Sequence, residues 1–286
     1  MSRVSLIVLT HNKLAVTRRC LPTLLRAAPA GLELVVVENG STDGTLEWLG
    51  EFQHDARKNG VAMTVLPQTT NIGCSTARNL AASGALGDRL VFLDNDVSVR
   101  SRHWLAGLGR ALDESPDAAI VCPKLVYPFA PHAIQCAGAA VTRAGRVVFA
   151  GRGEAIDDPR FNAPREVQWA ISACWMVRAT VFRESGGFDE AFNPVQFEDA
   201  DLCYRFRSHG WKTIYEPSVE MYHYESTTTA GTVSLPNTAL VIRHGLLFRN
   251  RWKPLIETED GPPEADAAWR KIDIPAFETI SEPPVV

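Results

Sequence analysis

Apolar and polar positions follow two alternating rhythms in the first third of the chain. Short runs rich in β-branched residues, Val4 to Leu9, Leu34 to Val37, Val61 to Leu66 and Leu90 to Leu93, predict strands. Between them apolar residues fall at helical spacing. Leu14, Leu21, Leu24 and Leu25 fit one helix, in which Pro22 predicts a kink or break because it lacks an N–H and crowds the preceding turn. Ser41, Thr42 or Asp43 can cap a second helix through Glu51, and Asn71 or Ser75 a third through Ala82; a fourth spans His103 to Leu112. Strand and helix in alternation, joined by short connections, predict a parallel, doubly wound α/β sheet covered on both faces. Its ligands should lie beyond the C-terminal ends of the strands.

From about Pro123 the rhythm changes. Ala139 to Thr142 and Arg146 to Phe149 flank Arg143-Ala144-Gly145 and predict a hairpin. Val167 to Val177 reads as a long strand entering the core. An acid-rich helix starts at Glu198-Asp199-Ala200-Asp201, buries Leu202 and Phe206, and ends at His209-Gly210 with glycine as its cap. Lys212 to Tyr215 and Val219 to Tyr224 predict further strands. Ser226 to Ser234 is polar and predicts a mobile lid. Thr238 to Trp252 predicts a basic helix, before a tail from Pro254 rich in Pro, Glu and Asp.

Composition narrows the function classes. A 286-residue chain with 45% hydrophobic and 22% charged residues is ordinary for a globular protein, and a net charge of -4 supplies no field for nucleic acid. Cys20, Cys74, Cys122, Cys136, Cys174 and Cys203 are scattered without C-x-x-C spacing, which predicts reduced core thiols in a cytoplasmic protein. No apolar run approaches a membrane span, so contact with a membrane would be peripheral, through a face formed by Arg243, Arg249, Arg251, Trp252 and Lys253. A solvated or self-docking helix explains the same residues.

Val91-Phe92-Leu93-Asp94-Asn95-Asp96-Val97 is the most informative segment: an apolar run breaks into two acids and resumes. Alternating side chains point to opposite strand faces, so both acids serve one ligand only where the strand ends and the backbone turns. Such a pair suits Mg²⁺ or Mn²⁺ carrying a diphosphate, yet Asp and Asn are also ordinary turn formers, and the triplet does not decide between the two. Thr10, His11, Asn12 and Glu38 stand at neighbouring strand ends, where polar groups could clasp a base and ribose. Asn71, Gly73 and Arg78 mark a small-residue helix start that could take an anion, or an arginine that pairs with Asp94. Glu198 and Asp199 either complement a helix dipole or place a general base, with Asp199 the preferred candidate. His223, followed by Tyr224-Glu225-Ser226, is a hydrogen-bonded structural residue or the completion of a metal site begun by Asp96.

In order, Val4 to Asn12, LVVVENGSTDGT (Leu34 to Thr45), NIGCSTARN (Asn71 to Asn79), LVFLDNDV (Leu90 to Val97), GGFDE (Gly186 to Glu190), FEDADLCYRFRSHGW (Phe197 to Trp211) and H-x-x-S at His223 resemble family 2 glycosyltransferases, especially rhamnosyltransferase-like members. The resemblance covers about residues 3 to 226. It implies a GT-A (Rossmann-like) α/β fold, with a mainly parallel central sheet flanked by helices, a small β-hairpin extension and a C-terminal helix. Length and composition predict one domain over 1–253 and a loosely ordered tail (254–286); the domain would comprise a nucleotide-binding half (1–122) and an acceptor-binding, catalytic half (123–235).

The activity implied is inverting transfer of a sugar from a UDP- or dTDP-sugar to a hydroxyl of a glycan, lipid-linked glycan or small molecule. Thr10, Asn12, Glu38, Asn71, Gly73, Arg78, Asp94 and Asn95 would serve the nucleotide-sugar, Asp96 and His223 a Mn²⁺ or Mg²⁺ ion, and Asp199, paired with Glu198, would be the base. A second copy of the chain is a possible partner, and the inner membrane face a possible location. Glu38 stands where the family commonly has Asp, and Val195-Gln196 where an aromatic is frequent. The competing reading is a non-catalytic sugar-nucleotide or glycan-binding module, against which the joint presence of Asp96, Asp199 and His223 argues. A nicotinamide-dependent enzyme is disfavoured because no G-x-G-x-x-G follows the first strand.

Overall fold

The computed structural model describes residues 3–286 apart from 27, 30 and 226–234, and only the backbone of 235–237. The lid expected over Ser226 to Ser234 therefore lies outside the described residues. The first half runs β1 (Val4–Thr10), α1 (Leu14–Arg26), β2 (Glu33–Asn39), α2 (Thr45–Lys58), β3 (Ala62–Gln68), α3 (Cys74–Gly84), β4 (Arg89–Asp94), β5 (Val97–Val99) and α4 (Trp104–Glu114). The second runs β6 (Ala118–Val126), β7 (Ile134–Cys136), β8 (Ala139–Val141), β9 (Val147–Phe149), β10 (Arg165–Val167), β11 (Cys174–Arg178), α5 (Ala179–Glu184), α6 (Glu198–Ser208), β12 (Lys212–His223) and α7 (Leu235–Thr258).

The central sheet has the order β10-β12-β6-β11-β4-β1-β2-β3. Its β3-β2-β1-β4 side is parallel, as the βαβ rhythm predicts. The other side is mixed, because β11 enters antiparallel between β4 and β6 while β6 and β12 pair in parallel. Every residue of β2 is buried, the signature of a strand covered on both faces. In α2 the buried residues Thr45, Leu49, Phe52 and Ala56 recur at helical spacing and form the stripe that faces the sheet. On the sheet's other flank, Phe92 of β4 meets Phe182 and Phe188, each with ring centres 5.1 Å away.

Several expectations are corrected. Pro22 makes no break: helix α1 continues through it, with Cys20, Leu21, Thr23, Leu24 and Leu25 buried around it. Tertiary burial of that face outweighs the one lost backbone bond. The long strand expected over Val167 to Val177 is two strands, β10 and β11, separated by a turn that carries Ser172, with Trp169 bridging to Ala139 between them. The two strands expected after residue 211 are one, β12, which shifts register against β6 between Glu216 and Glu220. The hairpin β8-β9 forms where the sequence places it. All six cysteines are buried free thiols.

Helix α7 extends beyond the predicted Thr238–Trp252. His244, Phe248 and Ile256 are buried along it, and Phe248 packs on Tyr204 of α6 with centroids 5.0 Å apart. Of the residues expected on one face, Arg251 and Trp252 dock onto α6: the Arg251 guanidinium and the Trp252 indole N–H donate to Asp201 at 2.8 and 2.9 Å. Arg243, Arg249 and Lys253 stay exposed beside Ile242 and Leu246. Of the tail expected from composition to be loosely ordered (254–286), residues 254–258 belong to α7 and 259–286 run over the surface. Arg19 donates to the carbonyls of Phe277 and Ile280 at 3.1 and 2.7 Å, and the Val286 amide donates to the Arg100 carbonyl at 2.7 Å. Among the described residues, no helix is long and apolar enough to cross a membrane.

Candidate active site

Parallel pairing brings three expected residues to one edge. Thr10 pairs with Glu38 across β1 and β2, and Leu9 with Asp94 across β1 and β4, so the C-terminal ends of these strands share one rim. The chain then turns through Asn95 and re-enters the sheet as β5, antiparallel to the end of β12, with Val97 opposite His223. The Tyr224 amide donates to the Asp96 carbonyl at 2.9 Å, which fixes the two segments together. His223 Nε2 consequently lies 3.3 Å from Asp96 Oδ1.

Asp94, Asp96 and His223 each offer a ligand atom within 4.8 Å of the others. The Asp96 side chain is only 2% exposed and that of Asp94 31%. Two carboxylates held this close and partly removed from water repel one another, and a bound cation offsets both costs. Two hard oxygens and one imidazole nitrogen suit a divalent ion that keeps positions for substrate oxygens. The donor set thus fits the Mg²⁺ or Mn²⁺ implied by the sequence, and Asp94 joins the two residues expected there. Burial raises the Asp94 pKa, with Arg78 acting against the shift; for His223 burial opposes the charge, but Asp96 outweighs it and the pKa is raised.

Arg78 lies beneath this cluster with its side chain 3% exposed. It donates to Asp94 Oδ1 at 2.6 Å, Glu198 Oε1 at 3.1 Å and Ser172 Oγ at 2.8 Å. Burial disfavours its charge, but Asp94, Cys74 and Glu198 more than restore it, so the guanidinium stays protonated. The Ser172 amide in turn donates to Asp199 Oδ2 at 3.2 Å, and Asp199 Oδ1 accepts from the Ala200 amide at 2.7 Å. Asp199 is half-buried. Its pKa is pushed up to about 7, first by burial and then by the neighbouring Glu198 charge, while the two backbone bonds oppose the shift. The backbone enters α6 through Gln196 and Phe197, both in the left-handed region with φ of 87° and 69°. Such strain persists only where neighbours over-determine it, and His244 Nδ1, 2.9 Å from the Val195 carbonyl oxygen, is one of them.

The nucleoside-side residues are more committed to one another than the sequence suggests. Asn95 Nδ2 donates to Thr10 Oγ1 at 3.3 Å and Thr17 Oγ1 at 2.9 Å, which makes a buried polar knot between β1, α1 and the acidic turn. Glu38 Oε1 accepts from the Ser41 amide at 2.7 Å, and Asn12 Oδ1 from the Thr42 amide at 2.9 Å. Asn71 Oδ1 accepts from Asn39 Nδ2 at 3.1 Å and from the Gly73 amide at 2.9 Å. Gly40 is required here, since a Cβ would stand 2.5 Å from the Thr70 carbonyl carbon.

Of the two uses open for the start of α3, Arg78 makes the pairing with Asp94, and the loop before α6 occupies the first helix amides. The Cys74 amide donates to the Pro194 carbonyl at 2.8 Å and the Ser75 amide to Asn193 Oδ1 at 3.1 Å. A Cβ on Gly73 would meet the same Asn193 side chain at 2.3 Å. The small residues therefore admit the loop that leads to α6, and a structural segment takes the helix-end donors that a phosphate would need. Sequence reading missed Ser172, Asn193 and Gln135. Ser172 and Asn193 carry no local signal, whereas Gln135, a lone amide in an apolar strand, does, because a buried polar group needs a partner. A 550 Å³ pocket lined by Phe188, Asp189, Arg205, Arg251 and Trp252 among others lies behind α6 and shares none of the expected site residues.

Residues 5–137 match the family described as "Glycosyl transferase family 2". The chain is 29% identical over 259 residues to an uncharacterised protein, y4gI, of Sinorhizobium fredii, covering 87% of this chain and 27% of that protein. It is also 29% identical over 235 residues to the N-acetylglucosaminyl-diphospho-decaprenol L-rhamnosyltransferase of Mycobacterium tuberculosis, covering 74% of this chain and 72% of that one. The chain thus spans about a quarter of the first relative and nearly three quarters of the second. In fold it is similar to GalNAc-T7, solved with UDP, GalNAc and Mn²⁺, with a TM-score of 0.69 and 16% identity over 90% of this chain and 50% of that one. The chain thus has the GT-A fold, matches the family 2 glycosyl transferase model over residues 5–137, and is similar in sequence to a rhamnosyltransferase.

Proposed function

We propose that the protein transfers a sugar, with inversion, from a nucleoside diphosphate donor of the UDP or dTDP type to a hydroxyl acceptor in glycan or glycoconjugate synthesis. One observation carries the reading: Asp199, a carboxyl with a pKa near neutrality, is joined through Ser172 and Arg78 to the Asp94-Asp96-His223 cluster. A general base works best with a pKa near the working pH. Ionised Asp199 takes the proton of the acceptor hydroxyl as its oxygen bonds to the anomeric carbon. The bond to the diphosphate oxygen breaks on the opposite face, and the electron pair leaves with the nucleoside diphosphate.

Arg78, held charged and immobile by Asp94, Glu198 and Ser172, keeps base and donor ends in register. Thr10, Asn12, Glu38 and Asn95 shape the nucleoside side of the same rim. A divalent ion at Asp94, Asp96 and His223 would neutralise charge growing on the departing diphosphate without proton transfer. The test is release of nucleoside diphosphate from a panel of UDP- and dTDP-sugars and hydroxyl acceptors with Mn²⁺. Asp199→Asn should lower turnover by about 10²- to 10⁴-fold and leave donor affinity within a few fold. Undiminished turnover in that variant would remove Asp199 from the chemistry.

A further inference from the structure

Gln135 is a buried polar residue to which the reaction above gives no task. It is 2% exposed in β7, between the buried Ile134 and Cys136. Its Oε1 lies 2.7 Å from His223 Nδ1, while its Nε2 has no hydrogen-bond partner among the described residues. An unmet buried donor destabilises the fold, so packing alone would favour a hydrocarbon here.

The two ring nitrogens of His223 explain the amide. Nε2 faces Asp96 and can offer a lone pair to a cation only if the ring proton sits on Nδ1, which then needs an acceptor. Gln135 Oε1 is that acceptor. With the amide turned over, its N–H₂ would instead donate to Nδ1 and favour the other tautomer, whose Nε2–H can donate to Asp96 in the absence of a cation. Leucine supports neither arrangement, and a carboxylate supports the first alone.

We propose that Gln135 is a positioning residue that sets the tautomer and ring orientation of His223 for a divalent cation. The proposal rests on reading Asp94, Asp96 and His223 as a cation site, and its test separates the two. Mn²⁺ is titrated into the 286-residue chain, with the free ion followed by electron paramagnetic resonance, for the wild type, His223→Ala, Gln135→Leu and Gln135→Glu. His223→Ala should abolish the site. Gln135→Leu should weaken Mn²⁺ about 10- to 100-fold, the usual cost of removing a residue that orients a metal ligand, and Gln135→Glu should stay within a few fold of wild type.

Nitrogen NMR of histidine-labelled protein with Mg²⁺ supplies a readout that packing would not move. His223 should carry its proton on Nδ1 in the wild type and in Gln135→Glu, and lose that preference in folded Gln135→Leu. Wild-type Mn²⁺ affinity in Gln135→Leu, with His223→Ala impaired, would overturn the role of Gln135 alone. Undiminished binding in His223→Ala would overturn the cation site and this proposal with it.

Discussion

The side chains that define the site are few, and their environments differ more than their chemistry. Asp96, Asp94 and Asp199 are all carboxylates, yet one is almost fully enclosed beside His223, one leans on a buried arginine, and one accepts hydrogen bonds from the Ser172 and Ala200 amides. The third environment has a direct pH consequence. A base must be ionised to accept a proton, and burial holds Asp199 protonated until about pH 7. The rate should therefore rise about tenfold per pH unit below 7 and level off above it, because the ionised fraction changes by that factor. A pH profile of turnover from 5 to 9 at saturating Mn²⁺ checks this; a flat profile through 7 would mean that another group takes the proton. Sequence alone nominated Asp96 and Asp199, whereas Ser172, which links the proposed base to the arginine, looked like any serine of an apolar stretch.

At the scale of elements, α6 carries the proposed base and α7 fixes α6. Phe248 of α7 is 1% exposed between Phe197 and Tyr204, and Asp201 accepts from Arg205, Arg251 and Trp252. Phe248→Ala should cost about 3–5 kcal/mol, as expected when a large buried ring is removed and the space only partly closes. Urea unfolding of the two proteins measures it, and a loss below about 1 kcal/mol would show that α7 is not part of the cooperative unit. Helix periodicity placed α6 within a residue or two, but ended α7 at Trp252, six residues short of its end at Thr258. It did not predict that α1 would run through Pro22, because the burial of its neighbours is a property of the packed sheet. Nor could it show that the start of α3 is capped by residues 193–194, more than a hundred positions along the chain.

At the scale of the whole molecule, the candidate cation cluster joins the end of β4, the turn before β5 and the end of β12, while the proposed base enters from α6. A donor that touches several of these elements stabilises the folded state by mass action. UDP or dTDP with Mn²⁺ should raise the melting temperature more than nucleotide or Mn²⁺ alone, with about 2.7 kcal/mol added at a hundredfold excess over Kd. A thermal-shift titration reads this, and equal shifts with and without Mn²⁺ would argue that nucleotide and ion bind separately. The sequence by itself determined the alternation of strand and helix, the acids at strand and helix ends, and the family they resemble, because these follow from local periodicity and from motifs a few residues long. Only the tertiary structure decided which acids converge, that Asp94 joins Asp96 and His223, that the α3 start receives a loop, and that Gln135 stands behind His223. Those facts depend on strand order and on segments brought together across the sheet, and burial in that packed setting gives each carboxyl its own electrostatics.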